Sequence, residues 1–513
     1  MRVPGTIGRA VAPGTERWCA SPGRRSPRTV NMHRLLDEID VLHVSGEPLD
    51  VEITSIEHDS RRVEAGALFC CLPGQLSDGH EHAAEAVERG AVGLVCERAL
   101  ALGADSDVVQ VRVAPGRARP AMGRLASAFF GHPSRQLLTA GVTGTNGKTT
   151  VSHLLGVVLE QAGIPTMVIG TLTGTRTTPE ATELQALLAA ERDRGIEDKS
   201  THAVAMEVSS HALAQSRVDG ITFDVAVFTN LSHDHLDFHG TMEAYWEAKA
   251  SLFTPERAAQ GIVFADDPAG ERLLAEARIP MRAVRRLDAL GVDLGIGWSR
   301  FVWHGRPVEI ALTGRFNVDN ALLAADAALT MGVDPDAVAF GLTQAPAVPG
   351  RLQPLVVEGD KWPFSVLVDY AHTPAGLAVV LDELSQLKRE GARVIVVFGC
   401  GGNRDQAKRP LMGQVAVGLA DLAIVTSDNP RDEDPLRIID EIRSGIEAAV
   451  ERRAEVVIEP DRRAAIALAI ERAEPGDVVL IAGKGHEVTQ ELHGRSVPFD
   501  DRLVAEEVLS CSR

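Results

Sequence analysis

The sequence predicts an α/β protein of three domains built on parallel sheets, and three observations carry that prediction. The first is size: 513 residues, 45% of them hydrophobic, are enough for about three domains with real cores. The second lies in the last third of the chain, where a unit of apolar strand, polar loop and helix recurs as "FSVLVDYAHTP", "RVIVVFGCGGNRD", "DLAIVTSDNPRDEDP" and "DVVLIAGKGHE". Strands apolar on both faces that alternate with helices belong in a parallel sheet. The third is "GVTGTNGKTT", Gly141 to Thr150, set between the strand-like "RQLLTAGV" and the helical "KTTVSHLLGVVLEQAG".

Taken in order, residues 1–31 are rich in Arg, Pro, Gly and Ser and lack the apolar core of a signal peptide. They read as a disordered basic tail, with Met32 as an alternative start. "HRLLDEIDVL" reads as the first helix, and residues 33–136 alternate short β-like runs with helices. Residues 137–346 do the same around the Gly/Thr-rich loop. The Pro/Gly-bearing "TQAPAVPGRLQP" marks a boundary, and 347–513 form the last domain. In such sheets ligands collect beyond the carboxyl ends of the strands, where the polar clusters of this chain fall.

A formal charge of −19 argues against broad nucleic-acid binding but leaves small anionic substrates open. No apolar run approaches the ~20 residues that span a bilayer. Cys19, Cys70, Cys71, Cys96, Cys400 and Cys511 show neither metal-ligand nor disulfide-framework spacing, which suits a reducing cytoplasm.

The loop departs from the general phosphate-loop rule, which wants glycine at Val142; its glycines are Gly141 and Gly144. The physical case for a nucleotide stands regardless, because the loop joins a strand to a helix N-terminus whose free N–H groups favour an anion. Gly144, Thr145, Asn146 and Gly147 would cradle the phosphates. Lys148 would reach the terminal ones, and the hydroxyl of Thr149 or Thr150 would touch Mg²⁺.

Glu207 ends the apolar strand of "AVAMEVSSHAL", where a carboxylate can hold Mg²⁺ beside phosphates. "FDVAVFTNLSHDHLDFH" carries His233, Asp234, His235, Asp237 and His239 on what reads as a polar, solvated loop. In "TMEAYWEAKASLF", helical spacing puts Met242, Tyr245, Trp246, Lys249, Leu252 and Phe253 on one face. Lys249 on that stripe either snorkels to water or is buried with a lowered pKa. A neutral amine reacts with CO₂ to give a carbamate, a carboxylate-like Mg²⁺ ligand. Three further residues admit two readings each. Asn317 reads an adenine edge or caps its helix. Arg351 reaches a phosphate or sits on a surface hinge. Asp369 accepts from a ribose or caps a turn.

"GVTGTNGKTT", "EVSSHAL", "TNLSHDHLDFHG", "YWEAKASLF", "FNVDNALLAA", "VPGRLQ", "DYAHTP", "FGCGGNRDQAKRP", "SDNPR" and "AGKGHE" occur in that order. From about residue 33 to the end, the chain resembles the Mur ligases, and among them the tripeptide-forming synthetases. The family's loop, G-x-x-G-T-x-G-K-T, accommodates Gly141 and Gly144. The resemblance implies a UDP-substrate domain, a central ATPase domain and a Rossmann-like amino-acid domain. It implies a cytoplasmic, monomeric enzyme of peptidoglycan synthesis that joins a diamino acid to UDP-MurNAc-L-Ala-D-Glu with ATP and Mg²⁺. Its partners would be small molecules, with no nucleic acid and no membrane insertion.

Carried over position by position, the resemblance implies phosphate and Mg²⁺ contacts from Lys148 and Thr149, Mg²⁺ ligation by Glu207 and His235, and a carbamylated Lys249. Asn317, Arg351 and Asp369 would contact ATP. Ser60 of "HDSR", between Asp59 and Arg61, and the region of Gly74 and His80 would meet the uridine diphosphate. Thr177, Thr178, Ser209, Ser210 and Arg217 would hold the muramoyl-peptide. Arg404, Asp428, Asn429, Pro430, Arg431, Gly483 and Glu487 would form the diamino-acid site. The "DNPR" form accompanies meso-diaminopimelate, whose distal carboxylate matches the guanidinium fork of Arg431; Glu487 would meet the distal ammonium. Asn403 stands where the family more often has aspartate. The competing readings are L-lysine as the added amino acid, a related ligase such as folylpolyglutamate synthetase, and a non-catalytic Mur-like nucleotide-binding protein.

Overall fold

Apolar runs become strands buried on both faces. The computed structural model describes residues 28–47, 50–74, 77–102, 107–174, 176–356 and 362–511. They fall into two compact units, one of the residues up to Pro133 with Gln185–Glu197, the other of Ser134–Leu184 with Asp198–Arg513.

In the first unit, Ser55–Glu57, Ala67–Cys70, Gly93–Cys96 and Val109–Arg112 run parallel, and His43–Ser45 adds an antiparallel edge. Phe69, Leu94, Ala86 and Val63 form its core against helix Ala83–Glu88. The predicted first helix is shorter than its pattern suggests. Met32–Leu36 is helical, and the N–H groups of Glu38 and Ile39 then close tight turns onto Leu35 and Leu36. Asp37, Asp40 and the β-branched Ile39 and Val41 are poor helix formers, which accounts for the early stop.

Most of the expected tail, residues 1–27, lies outside the described residues. Its last residues are ordered, contrary to the reading of 1–31 as disordered: Val30 pairs with Ile53, and the Asn31 side chain caps helix Met32–Leu36. Removing residues 1–27 is therefore expected to leave activity unchanged. A chain beginning at Met32 loses a cap of about 1 kcal/mol, and calorimetry should show an unfolding midpoint lower by roughly 2–4 °C. Equal midpoints for the two truncations would contradict this.

The second unit contains two six-stranded sheets. In the first, Leu138–Thr143 lies between Phe223–Phe228 and Ala203–Glu207, with Thr166–Ile169 at one edge and Ala258–Phe264 then Met281–Val284 at the other, all parallel. The phosphate-loop strand and the strand ending in Glu207 are thus neighbours. Helices Lys148–Gln161 and Arg315–Thr330 pack together over this sheet through Val151, Leu155, Val158, Ala321 and Leu322.

A three-stranded antiparallel sheet, Ala289–Gly295, Trp298–Trp303 and Arg306–Ile310, interrupts the expected strand–helix alternation of this domain. It closes the core with Phe301 and Trp303. Its sequence signal is the "HG" turn, where His304 (φ 48°) and Gly305 (φ 76°) take the left-handed pair that a tight hairpin needs.

In the second sheet, Ser365–Asp369, Val478–Ala482, Val394–Phe398, Leu422–Val425 and Glu455–Ile458 run parallel, with Gln353–Val356 antiparallel at one edge. The four recurring units of the sequence supply its four inner strands.

Candidate active site

The phosphate loop is shaped by glycine and braced from the neighbouring strand. Gly144 (φ 149°) has no room for a Cβ, which would lie 1.8 Å from Thr229 Oγ1; at Gly147 (φ 86°) a Cβ would lie 2.4 Å from Asn320 Oδ1. Asn230 accepts from Thr145 N with its carbonyl (2.9 Å) and from Asn146 N with Oδ1 (3.0 Å). Thr229 Oγ1 donates to the Asn146 carbonyl at 2.6 Å. Thr145 Oγ1 lies 3.1 Å from the Tyr245 hydroxyl. Helix Lys148–Gln161 begins at Gly147 with no side-chain cap, so its first N–H groups face the loop as anion donors. Buried Thr149 and Thr150 open it.

Two lysines converge beneath this loop. Lys148 Nζ donates to the Gly144 and Thr145 carbonyls at 2.9 and 2.8 Å, and Lys249 Nζ donates to the same Gly144 carbonyl at 2.7 Å. Lys249 is 1% exposed, so it does not snorkel; its Nζ lies 4.5 Å from the centre of the Tyr245 ring. Burial, and then the neighbouring Lys148 ammonium, hold the Lys249 amine far below the ordinary lysine range. Burial lowers Lys148 too, with Glu207 and Asp234 opposing. Helix Met242–Ala250 ends before Leu252 and Phe253, yet both are buried with the predicted face; Met242 is half-buried.

Glu207, 1% exposed, receives the Thr171 N–H on Oε1 (2.8 Å) and the Thr171 hydroxyl on Oε2 (3.2 Å). His235 sits in the left-handed region (φ 54°) at the start of a short helix, Leu236–His239, inside the loop expected to be irregular. Its ring meets that of His211 edge-on at 4.8 Å, and burial lowers its pKa to about 4. Lys148 and Lys249 both act on His235, and Glu207 acts on Lys148, so these four residues share one electrostatic environment. Among the described residues no three His, Cys, Asp or Glu side chains gather as a metal-holding group. Mg²⁺ does not require one: it binds one or two carboxylates and completes its shell with water and substrate phosphates. The buried carboxylate of Glu207 and a helix-start hydroxyl at Thr149 fit that donor set.

The boundary segment reaches the loop. Arg351 Nη2 donates to Thr149 Oγ1 at 2.9 Å, and its guanidinium lies 4.7 Å from the Tyr370 ring centre, so it is no bystander on the surface. Gly350 (φ 66°) packs so closely on the "GKGHE" segment that a Cβ there would lie 2.3 Å from His486 N. Asp369 takes the turn-capping position, accepting from Leu352 N (2.6 Å) and Ala371 N (2.7 Å). Asn317 is buried, donating to the Thr313 carbonyl (2.8 Å) and accepting from Asn320 (3.2 Å).

Around the end of the Glu207 strand lie the residues expected to hold the muramoyl-peptide. Thr178 Oγ1 donates to the Glu207 carbonyl (2.8 Å) and accepts from Ser209 N (3.1 Å). Ser209 caps helix Ser210–Ala214, and Ser210 Oγ lies 3.0 Å from His239 Nε2. Arg217 donates to the Thr178 carbonyl (3.0 Å) and pairs with Glu180 (2.9 Å); Thr177 Oγ1 lies 3.2 Å from Thr171 Oγ1. In the other unit, Ser60 donates to Glu85 Oε2 at 2.9 Å, below Asp59, which pairs with Arg61. His80 is 6% exposed and bonded to Asp78 and to Glu97 N, an ordinary loop anchor, beyond Gly74.

At the carboxyl ends of the last sheet, Asn429 Nδ2 donates to Glu487 Oε2 at 2.7 Å, and Asn429 N to Asp428 Oδ1 at 2.7 Å. Gly483 (φ 115°) leaves room for Asp428, whose Oδ2 would lie 2.6 Å from a Cβ there. Pro430 packs its carbonyl against Gly402. Arg431 (φ 54°) donates to the Gly402 carbonyl (2.7 Å) and pairs with Glu491 (2.6 Å); Arg404 is exposed nearby, in the same loop.

The sequence reading passed over four residues here. Lys484, fully buried, donates to Asn429 Oδ1, Glu487 Oε2 and the Thr489 carbonyl, fixing which way the Asn429 amide faces. Buried Arg409 ties the "GCGGNR" loop to Glu433 and Glu441. Arg462 and Asp501 form a fully buried pair under Ser427 and Ala482. Lys484 and Arg409 lie inside motifs already quoted; Arg462 and Asp501 carried no local signal. Asn403 takes the left-handed region (φ 51°), which asparagine tolerates, and donates to Asp432 (2.9 Å). An aspartate there would face Asp432 and Glu433 with a third carboxylate.

Residues 142–328 match the Mur ligase middle domain, residues 350–485 the Mur ligase glutamate ligase domain, and residues 52–130 the Mur ligase family catalytic domain. A UDP-N-acetylmuramoyl-L-alanyl-D-glutamate–2,6-diaminopimelate ligase of Streptomyces coelicolor is 43% identical over 95% of this chain and 98% of its own length. The protein of that name from Gloeobacter violaceus is 45% identical over 90% and 95%. A solved structure bearing that name superposes with TM-score 0.64 at 31% identity, covering 94% of this chain and 99% of its own. The MurF ligase of Thermotoga maritima in complex with ADP shares the fold, with TM-score 0.56 at 19% identity over 89% and 96%. Three domain matches in the family's order, on a chain whose phosphate loop, strand-end carboxylate and buried lysine fall within the middle one, make this chain a member of the Mur ligase family.

Proposed function

We propose that the chain is the ATP-dependent ligase that adds meso-diaminopimelate to UDP-N-acetylmuramoyl-L-alanyl-D-glutamate, working as a cytoplasmic monomer. Residues 33–136 bind the uridine diphosphate end through Ser60, 137–346 carry out phosphoryl transfer, and 347–513 hold the amino acid. The observation that carries the reading is the convergence of Lys148 and Lys249 on one carbonyl of the phosphate loop. Two ammonium groups in that position would repel each other, which keeps Lys249 toward the neutral amine that CO₂ can convert to a carbamate. Glu207, His235, Thr149 and the Lys249 carbamate would hold Mg²⁺. When bound, the ion neutralises charge on the transferring phosphoryl group.

ATP lies with its phosphates on Gly144–Thr150, where Lys148, the helix N–H groups and Arg351 meet the negative charge. Asn317 and Asp369 meet the adenine and ribose, once their present internal bonds are exchanged. Thr177, Thr178, Ser209, Ser210 and Arg217 hold the D-glutamyl end of the substrate. The side-chain carboxylate attacks the γ-phosphorus, the bond to ADP breaks, and an acyl phosphate forms. The amine of diaminopimelate then attacks the acyl carbon. The tetrahedral adduct loses inorganic phosphate and a proton, leaving the amide. Arg404, Asp428, Asn429, Pro430, Arg431, Gly483 and Glu487 place that amine.

Isotope transfer tests the reaction order. With ¹⁸O in the D-glutamate side-chain carboxylate, one labelled oxygen is expected in the released phosphate. Unlabelled phosphate would refute acyl-phosphate formation.

A further inference from the structure

Arg431 is engaged by groups of the chain itself. The hairpin of Thr489–Leu492 and Arg495–Pro498 is stitched to the "DNPR" segment by its backbone. Arg431 N donates to the Glu491 carbonyl (3.0 Å), His493 N to the Arg431 carbonyl (2.7 Å), and Glu491 N to Asn429 Oδ1 (3.0 Å). These bonds hold Arg431 in the left-handed region, φ 54°, which a long side chain seldom adopts. They also aim the Glu491 side chain: its Oε2 lies 2.6 Å from Arg431 Nε, while Nη1 donates to the Gly402 carbonyl at 2.7 Å.

A guanidinium offers a carboxylate two bidentate edges, Nε with Nη2 and Nη1 with Nη2. Each edge of Arg431 already has one member occupied. The two occupants differ in their ability to leave. Gly402 contributes a backbone carbonyl within a packed loop. The Glu491 side chain is 48% exposed and can swing into water, forfeiting only a partly exposed ion pair. The Nε edge is therefore the one a ligand can win, and a carboxylate, like the one it displaces, is suited to win it.

We propose that Glu491 is a specificity-determining positioning residue. Its carboxylate stands in for the distal carboxylate of the diamino acid on Arg431 and is displaced when that substrate binds. The inference rests on the assignment of Arg431 to the amino-acid site. Its consequence runs in opposite directions for two substrates. For meso-diaminopimelate, Glu491 is a competitor that raises KM. For L-lysine, whose distal end carries an ammonium alone, Glu491 stays in place and shields that ammonium from the guanidinium. Lys484 is paired with Glu487.

The test is steady-state kinetics of the full chain with both amino acids, for wild type, Glu491→Gln, Glu491→Ala and Arg431→Ala. Both Glu491 variants are expected to lower KM for meso-diaminopimelate by roughly three- to fivefold, the scale of a half-exposed ion pair, with kcat within about twofold. kcat/KM for L-lysine should fall, so that discrimination widens. A purely structural Glu491 would depress both substrates alike. An unchanged or raised KM for meso-diaminopimelate in Glu491→Gln, with Arg431→Ala still crippled, overturns the inference and leaves the site assignment standing. If Arg431→Ala leaves KM for meso-diaminopimelate unchanged, the assignment fails and the inference with it.

Discussion

Lys249→Ala is expected to lower turnover by at least roughly 100-fold, the scale of losing one group that stabilises charge in a transition state. Formate or acetate should restore part of it. The side chain is buried under the phosphate loop, its amine held toward the neutral form by burial and by Lys148. Only a neutral amine attacks CO₂, so the environment that makes a lysine costly is the one that makes a carbamate accessible. Alanine leaves a cavity beside Gly144 O that a small carboxylate can enter. A lysine with a merely structural role predicts lost stability and no rescue. Turnover near wild type without added carboxylate would contradict the carbamate.

The second large effect concerns substrate choice. Wild type should prefer meso-diaminopimelate to L-lysine by at least roughly 30-fold in kcat/KM, because lysine leaves the guanidinium without its carboxylate at a cost of about 2 kcal/mol. The lower end of the usual range applies, since Arg431 is about a quarter exposed and has Glu491 as an internal partner. Arg431→Ala should lose activity with diaminopimelate far more than with lysine, narrowing the ratio. A mutant that keeps the full wild-type ratio would show that "DNPR" is only a strand-end turn.

What was legible in the sequence was whatever depends on local pattern. The parallel sheets followed from runs such as "RVIVVF" and "DVVLIAG", and the loop from its position between a strand and a helix. The helical face of "TMEAYWEAKASLF" was read with Lys249 on it, but only the structure decides between snorkelling and burial. That choice depends on what lies above the helix, and Gly144 is 105 positions away in the chain. The same limit hid Asn230 bracing the loop, Arg409 and the Arg462–Asp501 pair, whose partners are remote in sequence. Glu491 was hidden differently: it is an ordinary exposed strand residue until the hairpin places it on Arg431. Asp369 and Asn317 are engaged with their own backbone and neighbours, so their nucleotide contacts remain predictions of the family resemblance.

The central claim is a ligation that needs all three substrates at once. Its most direct test measures phosphate release with ATP and Mg²⁺ present, while UDP-N-acetylmuramoyl-L-alanyl-D-glutamate and meso-diaminopimelate are supplied singly and together, with the product identified by mass. The account predicts sustained phosphate release only with both, matched one for one by tripeptide product. Equal release without the amino acid, or release with both but no amide product, would contradict it.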